Sequence, residues 1–141
     1  MKKIVLLFIL FLLSFNIQSQ EKYNEQNSVG FACYFLGQPT IPVKKIDRIL
    51  KKKKYHKITN MLHSKINAEQ YLAVISLEKL NKLGYYKLTL NTKKLISKIK
   101  NSAGLVYTCS GCLIGEPIQL KTLFNDITYK NFNKHWLERI K

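Results

Sequence analysis

Asn67-Ala-Glu-Gln-Tyr-Leu-Ala-Val-Ile-Ser-Leu-Glu-Lys-Leu-Asn-Lys-Leu-Gly84 is the stretch on which the fold turns. Asn67 with Gln70 three residues later forms a helix-start signature, because both side chains can serve orphan backbone groups of a first turn. Tyr71, Leu72, Val74, Ile75, Leu77, Leu80 and Leu83 supply apolar positions, and Gly84 supplies the stop. Apolar residues on so much of the circumference predict a helix buried on more than one side and lying at the centre of the fold.

Helical periodicity extends outward in both directions. Upstream, Thr40 can cap and Pro42 suits a first turn. Val43, Ile46 and Leu50 then recur on one face, while Lys44, Lys45, Arg48, Lys51 and Lys52 take the other. Tyr55, Ile58, Met61 and Leu62 mark a second short helix. Downstream, a helix is expected from about Asn91 to Lys100, with Leu95, Ile96 and Ile99 inward. Pro117 opens another through Leu120, Leu123 and Phe124. The tail, Tyr129, Phe132, Trp136, Leu137 and Ile140, has helical spacing, with Trp136 as a packing anchor. Leu105 to Ile114 takes no assignment from its pattern. Val29 to Leu36 is a short apolar run that periodicity cannot divide between strand and extended arm. The expectation is an all-α domain over residues 40–141, preceded by a flexible or extended arm over residues 20–39.

The first nineteen residues stand apart. Lys2 and Lys3 precede the unbroken apolar run Ile4 to Leu13, and a more polar stretch with Ser19 follows. That is the anatomy of a cleavable secretory signal peptide, and the run falls short of the roughly 20 residues a spanning helix needs. The expected location is therefore periplasmic or extracellular, with no integral membrane segment after cleavage.

Beyond residue 19 the chain holds 22 Lys and Arg against eight Asp and Glu, a net +14 with His neutral. Such a charge attracts anionic surfaces over long range. Only Arg48 and Arg139 are arginines. Lysine is a hydrated point charge, poorer than Arg at planar bidentate recognition, so nucleic acid is disfavoured as a partner. Lys44, Lys45, Arg48, Lys51, Lys52, Lys53, Lys54 and Lys57 are the candidate contacts for an anionic partner. Read structurally, the same residues are a solvated helix face whose stems cover apolar surface.

Cys109-Ser110-Gly111-Cys112 is the one motif with chemical content. A C-x-x-C pair can form a reactive disulfide, yet it comes late, after several helices, where a thioredoxin-like enzyme would carry it after an early strand. In an oxidising compartment cysteines tend to pair. Cys33 can bridge to Cys109 or Cys112, or Cys109 and Cys112 can close a local ring. The odd count leaves one thiol for an intermolecular bond. Three cysteines with His56, His63 and His135, none at finger-like spacing, do not make a zinc set. The eight scattered acids offer no general acid and base pair, so no catalytic residue, metal or cofactor is assigned.

Residues 55–84, with Ile58, Met61-Leu62, Ser64, Asn67-Ala68-Glu69, Ala73, Leu77, Leu80 and Leu83-Gly84, resemble one unit of the HEAT-type helical repeat. A poorer second unit follows 38 residues on, with Ser102 in the place of Ser64, and it departs from the pattern at Gly111. The resemblance implies a helical-hairpin scaffold that binds partner proteins. The leading expectation is thus an exported, non-catalytic protein-binding or adaptor module. The alternatives are a binder of anionic envelope polymers or nucleic acid through the Lys-rich face, and a small thiol–disulfide redox protein using Cys109 and Cys112.

Overall fold

The buried length of Asn67–Lys82 organises everything around it. The structure, a computed structural model, describes residues 23–129 and 131–141. Six helices occur in it: α1 (Ile41–Lys51), α2 (His56–Met61), α3 (Asn67–Lys82), α4 (Leu90–Lys100), α5 (Leu120–Asn125) and α6 (Lys134–Glu138). Four strands accompany them: β1 (Ser28–Val29), β2 (Leu105–Ser110), β3 (Leu113–Ile114) and β4 (Ile118–Gln119). Helix α3 is buried from Tyr71 through Leu77 without a break, as its all-round apolar pattern predicts. Gly84, at φ +78°, ends it in a left-handed turn open to glycine at little cost.

The expectation of an all-α fold is overturned. Helix accounts for about 51% and strand for about 13%, and the strands form one four-stranded mixed sheet, so the protein is mixed α/β. β2 is its axis. β1 pairs with it in parallel, Ser28 opposite Tyr107 and Val29 opposite Thr108. On its other side β4 pairs antiparallel with its first residues and β3 with its last. The physical reason is composition: Val106, Tyr107 and Thr108 are β-branched or aromatic residues that suit a pleated, half-buried surface. Sequence patterning misses it because β1, β3 and β4 are two residues each, too short for any alternation to register. The expected helical domain over residues 40–141 thus contains three of the four strands.

Residues 23–39 are correspondingly more than an arm. Ser28, Val29 and Gly30 are buried, and Asn27 ties the segment to both β2 and α3. Its Nδ2 donates to the Leu105 carbonyl at 2.8 Å, and its Oδ1 accepts from the Ala68 amide at 3.0 Å. The signal-peptide reading of residues 1–19 lies outside the described residues.

Several helix boundaries also shift for identifiable reasons. Thr40 occupies the N-cap of α1, but its hydroxyl makes no capping bond; it donates to the Ser28 carbonyl at 2.9 Å and so fastens the helix start to β1. The N-cap of α3 is Ile66, and Asn67 uses its Nδ2 on the Leu105 carbonyl of β2 at 3.0 Å. Gln70 reaches back to the Ser64 carbonyl at 2.8 Å. Both polar side chains find backbone groups, but in the neighbouring chain segment instead of in their own first turn. Pro117 precedes β4, not a helix, and α5 begins three residues later.

The Ile58–Leu83 hairpin exists as α2 and α3, and the strand β2 lies where the second helix of a second pair would fall. The tail packs back as expected. Trp136 is buried, stacks on Phe31 with ring centroids 5.2 Å apart, and donates from Nε1 to Asp47 Oδ1 at 2.9 Å, a link across 89 residues. Asn133 donates to the buried Tyr71 hydroxyl at 2.8 Å, and burial holds that phenol well above its ordinary range.

Candidate functional site

Two surface regions differ sharply in charge. Residues 44–100 and 121–141 hold 21 Lys and Arg against five acids, a net +16; residues 23–43 and 101–120 hold no Lys or Arg and two acids, a net −2. The first group makes the helices. The second makes the sheet and its turns. The helical segments are therefore strongly basic and the sheet segments slightly acidic, a division invisible in the overall charge.

On the basic body, Lys44, Lys45, Arg48, Lys51 and Lys52 line the α1 face opposite the buried Val43 and Ile46. The chain then turns through Lys52, Lys53 and Lys54 into α2, with Lys53 in the left-handed region at φ +50°. Arg48, Lys51–Lys54 and Lys57 are exposed, and Lys44 is half-buried. Among the described residues none of these seven enters an ion pair. Lys45 does: its Nζ lies 2.6 Å from Glu69 Oε1, a carboxylate that α3 carries into the protein with only 9% of its side chain exposed. Of the eight cationic candidates, Lys45 is thus committed to an internal partner. The C-terminal tail adds to the stripe. Lys51 and Lys53 meet Arg139 and Lys141 around a pocket of about 180 Å³ that Asp47, Tyr55 and Trp136 also line. Trp136 is closed off by its own packing, so this is a cationic cup and not an aromatic stacking platform.

The cysteines lie at the opposite kind of surface. Of the pairings open to the sequence, the structure has Cys33–Cys109, leaving Cys112 free and exposed. Cys33 and Cys109 are buried at 0% and 3% exposure, so the C-x-x-C pair is split between a covered bridge and an open thiol. Gly30 sits hard against that bridge. A methyl group on its Cα would run into Cys33 Sγ and would lie 2.5 Å from Cys109 Sγ.

Two turns are pinned together above the bridge. Cys33 and Gln38 exchange both backbone hydrogen bonds at 2.8 Å, holding Tyr34–Gly37 as a tight loop. Ser110 pairs with Leu113, making Gly111–Cys112 a two-residue hairpin with Gly111 at φ +57°. The Tyr34 amide donates to the Gly111 carbonyl at 2.6 Å, and the Gly111 amide donates to the Ala32 carbonyl at 2.8 Å. Phe35 and Leu36 on one turn and Leu113 and Ile114 on the other are all exposed, Phe35 to 92% and Leu113 to 79%. Sequence reading notices the apolar run Val29 to Leu36 but not that its second half faces outward. The only signal available was the glycine that follows it.

Among the described residues no cluster of His, Cys, Asp and Glu could hold a metal ion. No helix among them is long and apolar enough to cross a membrane. That fact and the disulfide are compatible with an exported protein. Comparisons with protein-family models, with curated proteins and with solved structures find no match for this chain.

Proposed function

We propose that the protein is an exported, non-catalytic binder of an anionic envelope polymer, a saccharide chain bearing phosphate or carboxylate groups. The stripe of α1 and the α1–α2 turn would hold it. The observation that carries this reading is the concentration of a net +16 on the helical body, with Arg48, Lys51–Lys54 and Lys57 exposed and without ion-pair partners among the described residues. Self-repulsion of this size costs stability in a small domain, and an anionic ligand would relieve it.

Lysine suits a polymer whose charges are irregularly spaced, because each ammonium acts as a flexible point charge without demanding planar geometry. Nucleic acid fits less well. Single-strand binding uses exposed aromatics beside the charge, whereas the aromatics lining the pocket at this stripe, Tyr55 and Trp136, are half-buried and covered. The cup lined by Lys51, Lys53, Arg139 and Lys141 sets four cations against the single carboxylate of Asp47, which already accepts from Trp136 Nε1, and so supplies a place for one phosphate or carboxylate.

Titration calorimetry of the purified chain against a phosphorylated lipopolysaccharide, over a range of salt, tests the reading. Binding should weaken steeply as the Debye length contracts from ~10 Å at 0.1 M towards ~3 Å at 1 M. Replacing both Lys51 and Lys53 by Gln should weaken it further without altering the fold, as both side chains are exposed. Salt-independent binding, or full affinity in the Lys51→Gln/Lys53→Gln variant, would remove the basis for the proposal.

A further inference from the structure

The stripe of α1 and the α1–α2 turn gathers cations, yet one end of it closes around a carboxylate. Glu69, in the first turn of α3, lines a cleft of about 460 Å³ together with Lys45 and Lys57 of the stripe. Its side chain is only 9% exposed. Oε1 takes the Lys45 ammonium at 2.6 Å, and Oε2 has no hydrogen-bond partner among the described residues. Ser76 Oγ is the one unpartnered polar side-chain atom among them that is sealed from water, so Glu69 Oε2 remains reachable. A half-used carboxylate keeps acceptor capacity, because its two oxygens offer about four lone-pair sites.

We infer that this cleft is a sugar subsite, which takes a hydroxyl-bearing ring of the anionic saccharide. Glu69 accepts hydrogen bonds from ring hydroxyls, and Lys57 meets the phosphate or carboxylate that the ring carries. The inference rests on the polymer-binding reading and names what that surface selects. The other walls suit a ring. His56, Asn60 and His63 are exposed, and none of their side chains is hydrogen-bonded or ion-paired among the described residues, so each can serve a hydroxyl as donor or acceptor. Ile49 and Met61 add apolar surface for the C–H face of the ring. Apolar walls with a few convergent polar groups, in a volume within the roughly 300–1,000 Å³ of small-ligand pockets, are what a bound ring requires.

Charge and chemistry decide between occupants. A polyanion without hydroxyls, such as inorganic polyphosphate, gains from Lys57 but meets the Glu69 carboxylate with like charge and no hydrogen to offer it. A saccharide hydroxyl gives that carboxylate a charge-assisted hydrogen bond, which is the stronger kind. An ammonium group would face Lys45 and Lys57. A metal ion is not favoured, since no cluster of His, Cys, Asp and Glu among the described residues could hold one. The acid beneath the basic stripe therefore acts as a filter. The exposed cations hold any polyanion, and Glu69 favours one built of hydroxylated rings.

Calorimetry of the purified chain tests this with two probes at one salt concentration: a phosphorylated core oligosaccharide released from lipopolysaccharide, and inorganic polyphosphate. Glu69→Gln keeps the shape of the side chain and removes its charge. Asn60→Ala/His63→Ala alters exposed positions only, so it remains decisive if the buried substitution misfolds by circular dichroism. Each variant should bind the oligosaccharide about tenfold more weakly, as hydrogen bonds to the ring are lost, and should bind polyphosphate as wild type does or slightly more tightly. Unchanged oligosaccharide affinity in either variant that folds, or an equal loss for both probes, would overturn the subsite and leave the polymer-binding reading in place. That reading has its own control. Lys51→Gln/Lys53→Gln should weaken both probes alike, and a wild-type chain that binds neither probe would remove the stripe and the sugar subsite with it.

Discussion

Removing the Cys33–Cys109 bridge should cost this fold a large share of its stability. The bridge spans 76 residues, and the loop it closes contains α1, α2, α3 and α4. Cross-linking a loop of that length lowers the entropy of the unfolded chain by an amount worth about 4–5 kcal/mol in the chain-entropy model. Domains of this size are stable by only about 5–15 kcal/mol in total. At about 4 °C per kcal/mol for a domain between 100 and 150 residues, the expected fall in melting temperature is about 15–20 °C. The comparison is between Cys112→Ser and Cys33→Ala/Cys109→Ala/Cys112→Ser, which keeps thiol exchange out of both proteins. Circular dichroism with heat and with urea gives the two readouts. The triple variant should show a lower midpoint and also a larger urea dependence, because its unfolded state is free to expand. Cys112→Ser alone should lie within about 0.5 kcal/mol of wild type, as its side chain is exposed and unpaired. Equal melting temperatures for the two variants would refute the reasoning. A large loss on Cys112→Ser alone would show that the connectivity is wrong.

Four further outcomes follow from single contacts. Gly30→Ala should destabilise by about 2–3 kcal/mol through overpacking against Cys33 and Cys109, and titration of free thiols on the folded chain should show the bridge partly open. Ser76→Ala should raise stability by about 1 kcal/mol in urea unfolding, since the Ser76 hydroxyl is fully buried without a hydrogen-bond partner among the described residues and alanine also favours the helix. Lys45→Ala should cost about 1 kcal/mol, because it strands the Glu69 carboxylate, while water screening of half-exposed Lys45 keeps the loss small; Lys44→Ala, measured alongside, should stay within about 0.5 kcal/mol. Tyr34 is pushed up to about 12 by its hydrogen bond with Tyr23, with burial and the charges of Tyr23 and Glu25 adding to the effect. Its folded pKa is raised, so its contribution is complete below pH 10, the ordinary value, and is lost as pH climbs towards 12. The stability difference between wild type and Tyr34→Phe in urea should therefore be constant up to that lower bound and shrink above it; a flat difference across the window would disprove the assignment.

The alternative roles weighed from sequence separate along the same lines. A redox enzyme working through Cys109 and Cys112 needs both sulfurs accessible to each other, whereas Cys109 is covered and bonded to Cys33. An adaptor built as a helical-hairpin scaffold would use apolar side chains exposed on the helical segments, such as Tyr85 and Leu90, and their replacement would test that role.

Helices α1 to α4 and the central place of α3 were legible in the residues themselves, because a helix is made by contacts three and four positions apart and its pattern survives in any short window. The basic stripe of Lys44, Arg48, Lys51 and Lys52 was legible for the same reason. The sheet was not. β2 pairs with β1 across 79 residues, and three of the sheet's four strands are two residues long, so nothing local records their pairing. Which cysteines join, which lysine belongs to Glu69, and that the turn holding Phe35 is hydrogen-bonded to the one before Leu113 are likewise facts about distant segments. Local periodicity determined the helices and the density of charge. Tertiary structure alone decided the sheet and the bridge, because each depends on which remote parts of the chain the core brings together.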